Sequence, residues 1–505
     1  MNIFMAILAV MKRKDIIALV LVLIIIYVPI FVHIDVIPIQ VWDEGRFAVQ
    51  AFNILKTNNW VVMQYHGEPD MWMVKPPFMM WLQAISMKMF GYNELAIRLP
   101  SAFAAVGTCL IVFFFFVKKI KDSLAGVIAA IVLVTTPGYV ILHCIRTGEC
   151  DSLMAMFTTG YVLSFFMYID EKKTKYLSAT FILLTCATLT KGIEPLLLLP
   201  ALLIYALYKK EAINTLKQKA LYTGIAGFLF FVLGYYFLRD HYNPGYIARV
   251  LDTEVFGRYN TIIDAHNQGP WAYFYDLVNQ YFSYWYLLAI AGIVVGCFNS
   301  NQVIKDITIL CSIVVGSYLL IISNGQTQLY WYLIPLYPFL AILVTVFVYS
   351  VFKILGKADV RGILSQNVLP YIFIILLCFV PYKDICNYVL SDISGEVAPE
   401  RYKLQLYMQQ ILHHKDPNTD GITFLNNGYD HDLEWYIMAL QADHRPFYEV
   451  SQDNIKGDEK IVAYTEHYRK ALEANYNFNV LSGFHNVVLY KLNGKKPIDS
   501  SVYKQ

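Results

Sequence analysis

The 505-residue sequence predicts a polytopic all-α membrane protein followed by a small C-terminal α/β soluble domain, on three observations. Hydrophobic residues make up 57% of the chain and charged residues 15%, with a mean hydropathy of +0.46; soluble chains lie near about 45–50% and 25%. The apolar residues come in long runs separated by short charged connectors, and beyond Tyr382 those runs give way to polar sequence. The formal net charge of +2 decides nothing, because in such a chain charges matter by location. The cations sit in short clusters between apolar runs, where the positive-inside rule places them, which excludes a nucleic-acid surface.

"MKRKDIIALVLVLIIIYVPIFVHIDV" opens with three cations and stays apolar to about Ile37. It lacks a small-x-small cleavage site, so it reads as an uncleaved first span with a cytoplasmic N-terminus. Further runs fall near 98–117, 123–143, 152–169, 176–190, 193–208, 220–238, 282–298, 307–323, 329–351 and 366–382, about eleven spans in all. The basic connectors 118–122, 170–175, 209–219, 301–306 and 353–361 are then cytoplasmic, and the long segments 41–97 and 239–281 external. An odd number of spans sends the C-terminal tail to the extracytoplasmic side. The run 176–208 would make about 50 Å of helix, too long for one span and too short for two. "LTKGIEP" breaks it, predicting two short spans that meet at Lys191 and Gly192 beside a cavity, since broken backbone at membrane depth must line one or be buried.

Two domains are expected: a membrane domain over 1–383, with its first external loop at about 38–97, and an α/β domain over 384–505. The second has strand-like 421–425, 460–464 and 486–492 between helix-like 399–413 and 430–441, and no catalytic motif. The eight cysteines form no CxxC pair and no His-spaced metal pattern, and most lie in apolar runs as small hydrophobes.

The charges at the edges of the runs are the candidates for chemistry. Asp43, Glu44 and Arg46 open an amphipathic stretch with Phe47, Ala51, Phe52 and Leu55 on one face, which suits an interfacial helix. First-turn carboxylates could also serve only as a cap. Lys75 precedes a double proline at a helix start, where free amides favour an anion, although a lysine can equally snorkel to headgroups. Arg146, Glu149 and Asp151 lie at a span mouth, with Lys191 and Glu194 at the same level. Glu254 and Arg258 come from the second external segment, and "NGQTQLYWYLIPLYP" brings aromatics to a span entry. Carboxylates and cations converging on the external face suit transfer from a lipid-linked phosphosugar.

The ordered set of an Asp-Glu pair after the first span, "KPP", "RLPSA", "RTGECDSL", "LTKG" and "YLIPLYP" resembles the dolichyl-phosphate-mannose protein mannosyltransferase-like family, whose bacterial branch includes the aminoarabinose transferase of lipid A. The resemblance covers roughly residues 10–350. It implies a GT-C fold and inverting transfer from a polyprenyl-phosphate sugar to a protein hydroxyl or glycolipid in the bacterial inner membrane. By this likeness Asp43 matches the essential aspartate, Glu44 its paired acid and Asp151 a second cavity carboxylate. Lys75 and Arg258 match groups that bind the carrier phosphate, Tyr332 a tyrosine near it, and Arg46 and Lys191 are further donor-side cations. Val74 replaces a glutamate that the aminoarabinose branch ties to a metal, so no metal or other cofactor is expected. Gln328 stands where many members have lysine.

Two other readings fit parts of the pattern. A transporter or flippase of a lipid-linked sugar would also have a broken helix and cavity charges, but neither an inverted repeat nor coupling-ion sites are visible. A scaffold acting through the tail would be abolished by deleting 384–505.

Overall fold

The computed structural model describes residues 12–140, 143–257, 269–357, 368–391, 400–414, 419–425, 431–451 and 454–497. They fall into two compact units, one built from Met1–Ile34, Asn59–Gln83 and Arg98–Leu390, the other from Asp35–Asn58, Ala84–Ile97 and Ser391–Gln505.

The first unit is helical. Among the described residues, seven helices are long and apolar enough to cross a bilayer: Arg13–Phe31, Glu94–Lys119, Asp151–Glu171, Lys219–Tyr242, Gln302–Ser323, Tyr330–Leu355 and Leu369–Leu390. Ala272–Tyr281 and Tyr286–Cys297, bent by 109°, make an eighth if they form one span. The sequence points to about eleven spans; seven or eight helices reach this length and hydropathy among the described residues. Each apolar run does carry helix. Ser123–Val134 and Glu194–Tyr208, however, are short of a bilayer's thickness. Thr174–Lys191 is diluted by threonines, and Thr180, Thr185 and Thr190 turn their hydroxyls back onto carbonyls one turn earlier. Helix Lys219–Tyr242 buries only 11% of its apolar window, leaving Phe230, Phe231 and Phe237 exposed. An apolar surface of that extent belongs in lipid rather than water.

The end of the first span is closed by two buried arginines. Arg146 donates from Nη1 to the carbonyls of Pro29 (3.2 Å) and Val32 (2.9 Å), and from Nη2 to that of His33 (3.0 Å). Arg98, fully buried, donates to the carbonyl of Ile34 at 2.8 Å. Cations are favoured there because the last carbonyls of a helix have no partner of their own and carry its negative dipole end.

The second unit packs helix Asp43–Thr57 on helix His431–Ala442 beside a five-stranded mixed sheet. Two two-residue strands of the first unit, β1 (Gln64–Tyr65) and β2 (Glu68–Pro69), precede that sheet in the chain. Its strands are β3 (Ile422–Leu425), β4 (Phe447–Val450), β5 (Lys460–Ala463), β6 (Tyr476–Phe484) and β7 (Val487–Lys495), in the order β4-β3-β5-β7-β6. β3 runs parallel to β4 and β5, while β7 is antiparallel to β5 and β6. Ile422, Phe424, Trp435, Leu440, Phe447, Val462 and Leu492 are fully buried; burying a side chain of this size stabilises by about 1.5–3 kcal/mol. Gly45 lets the two helices meet: a Cβ there would stand 2.8 Å from the backbone nitrogen of Asp432. Helix Asp43–Thr57 is buried along residues 44–54, Gln50 and Asn53 included, instead of showing the free polar face expected of an interfacial helix.

Candidate functional site

The helix break predicted at Lys191 organises the first unit's polar core. Thr174–Lys191 stops at Gly192, whose φ of 65° and ψ of −127° lie where a Cβ is strained. The chain resumes as a 3₁₀ turn, Glu194–Leu198, with Pro195 at its start, and then as helix Leu199–Tyr208. The break turns Lys191 and Glu194 toward the first turn of helix Asp151–Glu171. Lys191 Nζ lies 2.5 Å from Asp151 Oδ1 and 2.8 Å from Glu194 Oε2, and Tyr318 donates to Glu194 Oε1 at 3.2 Å. Asp151 and Lys191 are buried, so their charges persist only because they are paired. Two carboxyl groups thus share one ammonium.

Beside them lies a cavity of about 170 Å³ lined by Ile193, Glu194, Leu197, Glu254, Tyr318, Ile321, Ile322, Gly325, Thr327 and Tyr332. Its wall combines apolar side chains with two carboxyl groups, two tyrosines and Thr327. Tyr332 sits on the 3₁₀ turn Tyr330–Leu336, with its ring centroid 5.5 Å from Lys191 Nζ. A cavity next to Lys191 is what the broken helix foretold.

The Lys75 loop borders the same region. The turn before it is tied by Asp70, whose Oδ1 accepts from the amides of Trp72 (2.9 Å) and Met73 (3.3 Å). Val74 is buried against Tyr246 and Val250, with Met71 and Tyr236 packed around them. Apolar packing thus occupies the position at which the resembling family often carries glutamate. Lys75 leaves this cluster half-buried, and helix Phe78–Phe90 starts just past the double proline, with the Pro77 carbonyl accepting from the Trp81 amide. A Cβ on Gly192 would lie 3.9 Å from Pro76 Cδ and 3.7 Å from Tyr236 Oη, so the chain beside Lys191 and the chain beside Lys75 face one another. The structure therefore brings Asp151, Lys191, Glu194 and Tyr332 together and runs the Lys75 loop past them.

Asp43, Glu44 and Arg46 lie in the second unit. Asp43 is the half-buried first residue of its helix, behind an exposed Trp42. Glu44 is fully buried and accepts at 2.8 Å from the amide of Gln40, which precedes the helix. Arg46 Nη1 donates to His431 Nε2 at 3.0 Å, which requires the imidazole's proton on Nδ1. Glu94, also fully buried, accepts from Tyr436 Oη at 2.8 Å and meets His413 Nε2 at 2.9 Å. Its carboxylate holds the His413 imidazole above the ordinary histidine pKa. Arg258 lies outside the described residues. Gln328 is buried, with Nε2 donating to the Ser323 carbonyl. Among the described residues, no three His, Cys, Asp or Glu side chains gather as metal ligands, and all eight cysteines are free thiols.

Sequence reasoning missed Tyr318, whose position four residues after a buried Val314 in an apolar span was its one local signal. It also missed the part played by Tyr236 and Tyr246, which wall the Lys75 loop.

Comparison with known proteins adds an independent line. Residues 74–236 match the family described as dolichyl-phosphate-mannose-protein mannosyltransferase. An undecaprenyl phosphate-alpha-4-amino-4-deoxy-L-arabinose arabinosyl transferase of Shewanella sediminis is 23% identical over 181 residues, 35% of this chain and 32% of that one. A Bacillus subtilis relative is 30% identical over 145 residues, 29% of this chain and 20% of its own length. The chain spans 20%, 66% and 32% of the length of three curated relatives it matches. In fold it is similar to ArnT from Cupriavidus metallidurans bound to undecaprenyl phosphate, with a TM-score of 0.65 at 14% identity over 94% of this chain and 97% of that one.

Proposed function

We propose that this chain, a member of the dolichyl-phosphate-mannose-protein mannosyltransferase-like family, is an integral-membrane inverting glycosyltransferase that moves a sugar from a polyprenyl-phosphate carrier to an extracytoplasmic acceptor. The observation that carries the reading is the buried Asp151–Lys191–Glu194 cluster at a broken helix, bordered by a cavity and by the Lys75 loop. A structural ion pair would be balanced and enclosed. Here a second carboxyl group stands beside open space, where a polar substrate completes the hydrogen bonding.

In this reading Lys75, at the mouth of a helix whose amides are free, takes the carrier phosphate. The acceptor oxygen bonds to the anomeric carbon as the bond from that carbon to the phosphate oxygen breaks, and the phosphate leaves with the electron pair. Cations that hold it stabilise charge that grows in the transition state. Lys191, already engaged by two carboxylates, is assigned to fixing Asp151 in place. Asp151 and Glu194 accept hydrogen bonds from sugar hydroxyls, and Tyr332 flanks the phosphate. Asp43 is assigned, on its sequence pattern, to taking the proton of a hydroxyl acceptor. Arg258 is proposed as a second phosphate ligand on the same ground.

The test is transfer from a radiolabelled polyprenyl-phosphate sugar by the purified chain in lipid vesicles. Asp43→Asn and Asp151→Asn are expected to lower turnover by about a hundredfold or more, and Lys75→Ala to raise the donor KM. Full turnover in all three variants overturns the reading. Movement of labelled donor across the vesicle without release of carrier phosphate would replace it with a flippase.

A further inference from the structure

We propose that Arg239 is the positioning residue for Lys75, an inference that rests on Lys75 taking the carrier phosphate. Arg239 occupies the last turn of helix Lys219–Tyr242 and is fully buried. A buried guanidinium ordinarily faces a carboxylate. Among the described residues Arg239 has no ion-pair partner: Nη2 donates to the carbonyl of Asp70 at 2.9 Å, and Nε and Nη1 make no hydrogen bond. Its flat face lies over the ring of Tyr246, 4.2 Å from the centroid. A charge this costly to bury is directed at the backbone of a loop, with the Tyr235 hydroxyl also beside it.

That loop is the one that ends in Lys75. Asp70 gives its carbonyl to Arg239 while its carboxylate ties the amides of Trp72 and Met73, so the turn is held from both sides. Tyr246, pinned by the guanidinium, is in turn the floor on which Val74 rests. The next residue is Lys75, and the two prolines after it remove the remaining backbone freedom. Arg239 thus clamps the chain at residue 70 directly and at residue 74 through Tyr246, fixing the root of a long flexible side chain. Misplacing a phosphate-binding group by an ångström is enough to cost much of its effect.

The experiment uses the full chain, with undecaprenyl phosphate as the binding probe and the sugar donor for kinetics. Arg239→Gln is expected to weaken probe binding and raise the donor KM about tenfold with kcat nearly unchanged. Arg239→Lys, which can still donate to the Asp70 carbonyl, recovers a large part of this. The decisive variant is the double, Lys75→Ala with Arg239→Gln: if Arg239 acts through Lys75, it binds no more weakly than Lys75→Ala alone. Losses that multiply in the double variant, or unchanged binding in Arg239→Gln, overturn the inference. Unchanged binding in Lys75→Ala instead sinks the assignment of Lys75 itself. Should Arg239→Gln not fold, Tyr246→Leu keeps the apolar contact with Val74 and removes the surface under the guanidinium; the same non-additivity with Lys75→Ala is expected, and multiplying losses again overturn the inference.

Discussion

The two units bury charge in different ways. In the second, Arg46 meets a neutral His431, and Glu94 meets Tyr436 and a half-exposed His413. These contacts join distant parts of the chain, and His413 keeps access to water. In the first, Asp151 and Glu194 compete for a single ammonium beside a cavity, and Asp151 and Lys191 are almost wholly out of solvent. The contrast is between polar groups paired across distant parts of the chain and a cluster gathered around one helix break beside a cavity. The long-range contacts of the second unit join single charged groups to distant neighbours, with His431 Nδ1 making no hydrogen bond, whereas the first unit sets two carboxyl groups against one ammonium.

Three perturbations break or sharpen that contrast. The largest is Lys191→Met, which leaves two buried carboxylates without their cation and is expected to destabilise the chain by about 3–5 kcal/mol. Thermal inactivation in detergent measures it, and adding Glu194→Gln should restore part of the loss by removing one of the opposed charges. A change of under about 1 kcal/mol would mean the cluster is not the strained element described. Next comes Gly192→Ala, expected to cost about 1–3 kcal/mol for a side chain forced into a positive-φ backbone. It should also lower turnover more than stability, because the break aims Lys191; equal effects on both would make the glycine merely structural.

The smallest effect is one of pH in the second unit. Glu94 raises the His413 pKa, with a further contribution from Asp35, so the charged imidazole binds its proton more tightly in the folded chain. The stabilisation is complete below the unfolded histidine value of about 6.5 and is lost as pH rises through the raised folded value. Hydrogen exchange of Glu400–His414 should therefore quicken with pH across that window beyond its intrinsic rate, and His413→Gln should flatten the excess. A slope unaltered by the substitution assigns the protection to other contacts.

Much of the architecture was legible because it is written locally. Gly192 and Pro195 announce a break wherever they occur, and "LTKGIEP" put Lys191 and Glu194 at one depth. β3, β5 and β7 are buried inner strands whose apolar residues stand out, and all three were visible. β4 and β6 are the sheet's edges, exposed over much of their length, and their residues carry no such pattern. The span count exceeds the seven or eight helices long and apolar enough among the described residues because apolar length was read as straight helix, while Ser123–Val134 ends early and the Ala272–Cys297 segment bends by 109°. The partners of buried charges were least legible. Nothing near Arg46 points to His431, 385 residues away, and nothing near Glu94 points to Tyr436. Such pairs are decided by packing, which leaves no periodic trace.

The arginines that close the first span have a consequence for how the chain is made. The carbonyls of Pro29, Val32, His33 and Ile34 emerge from the ribosome long before Arg98 and Arg146, which belong to later segments. The first helix therefore enters the bilayer with its trailing end unfinished, and its exit point is settled only when the third long apolar helix begins to insert. Nascent chains arrested before residue 98 should carry a first span that tilts and slides, and those arrested past residue 146 one locked in register.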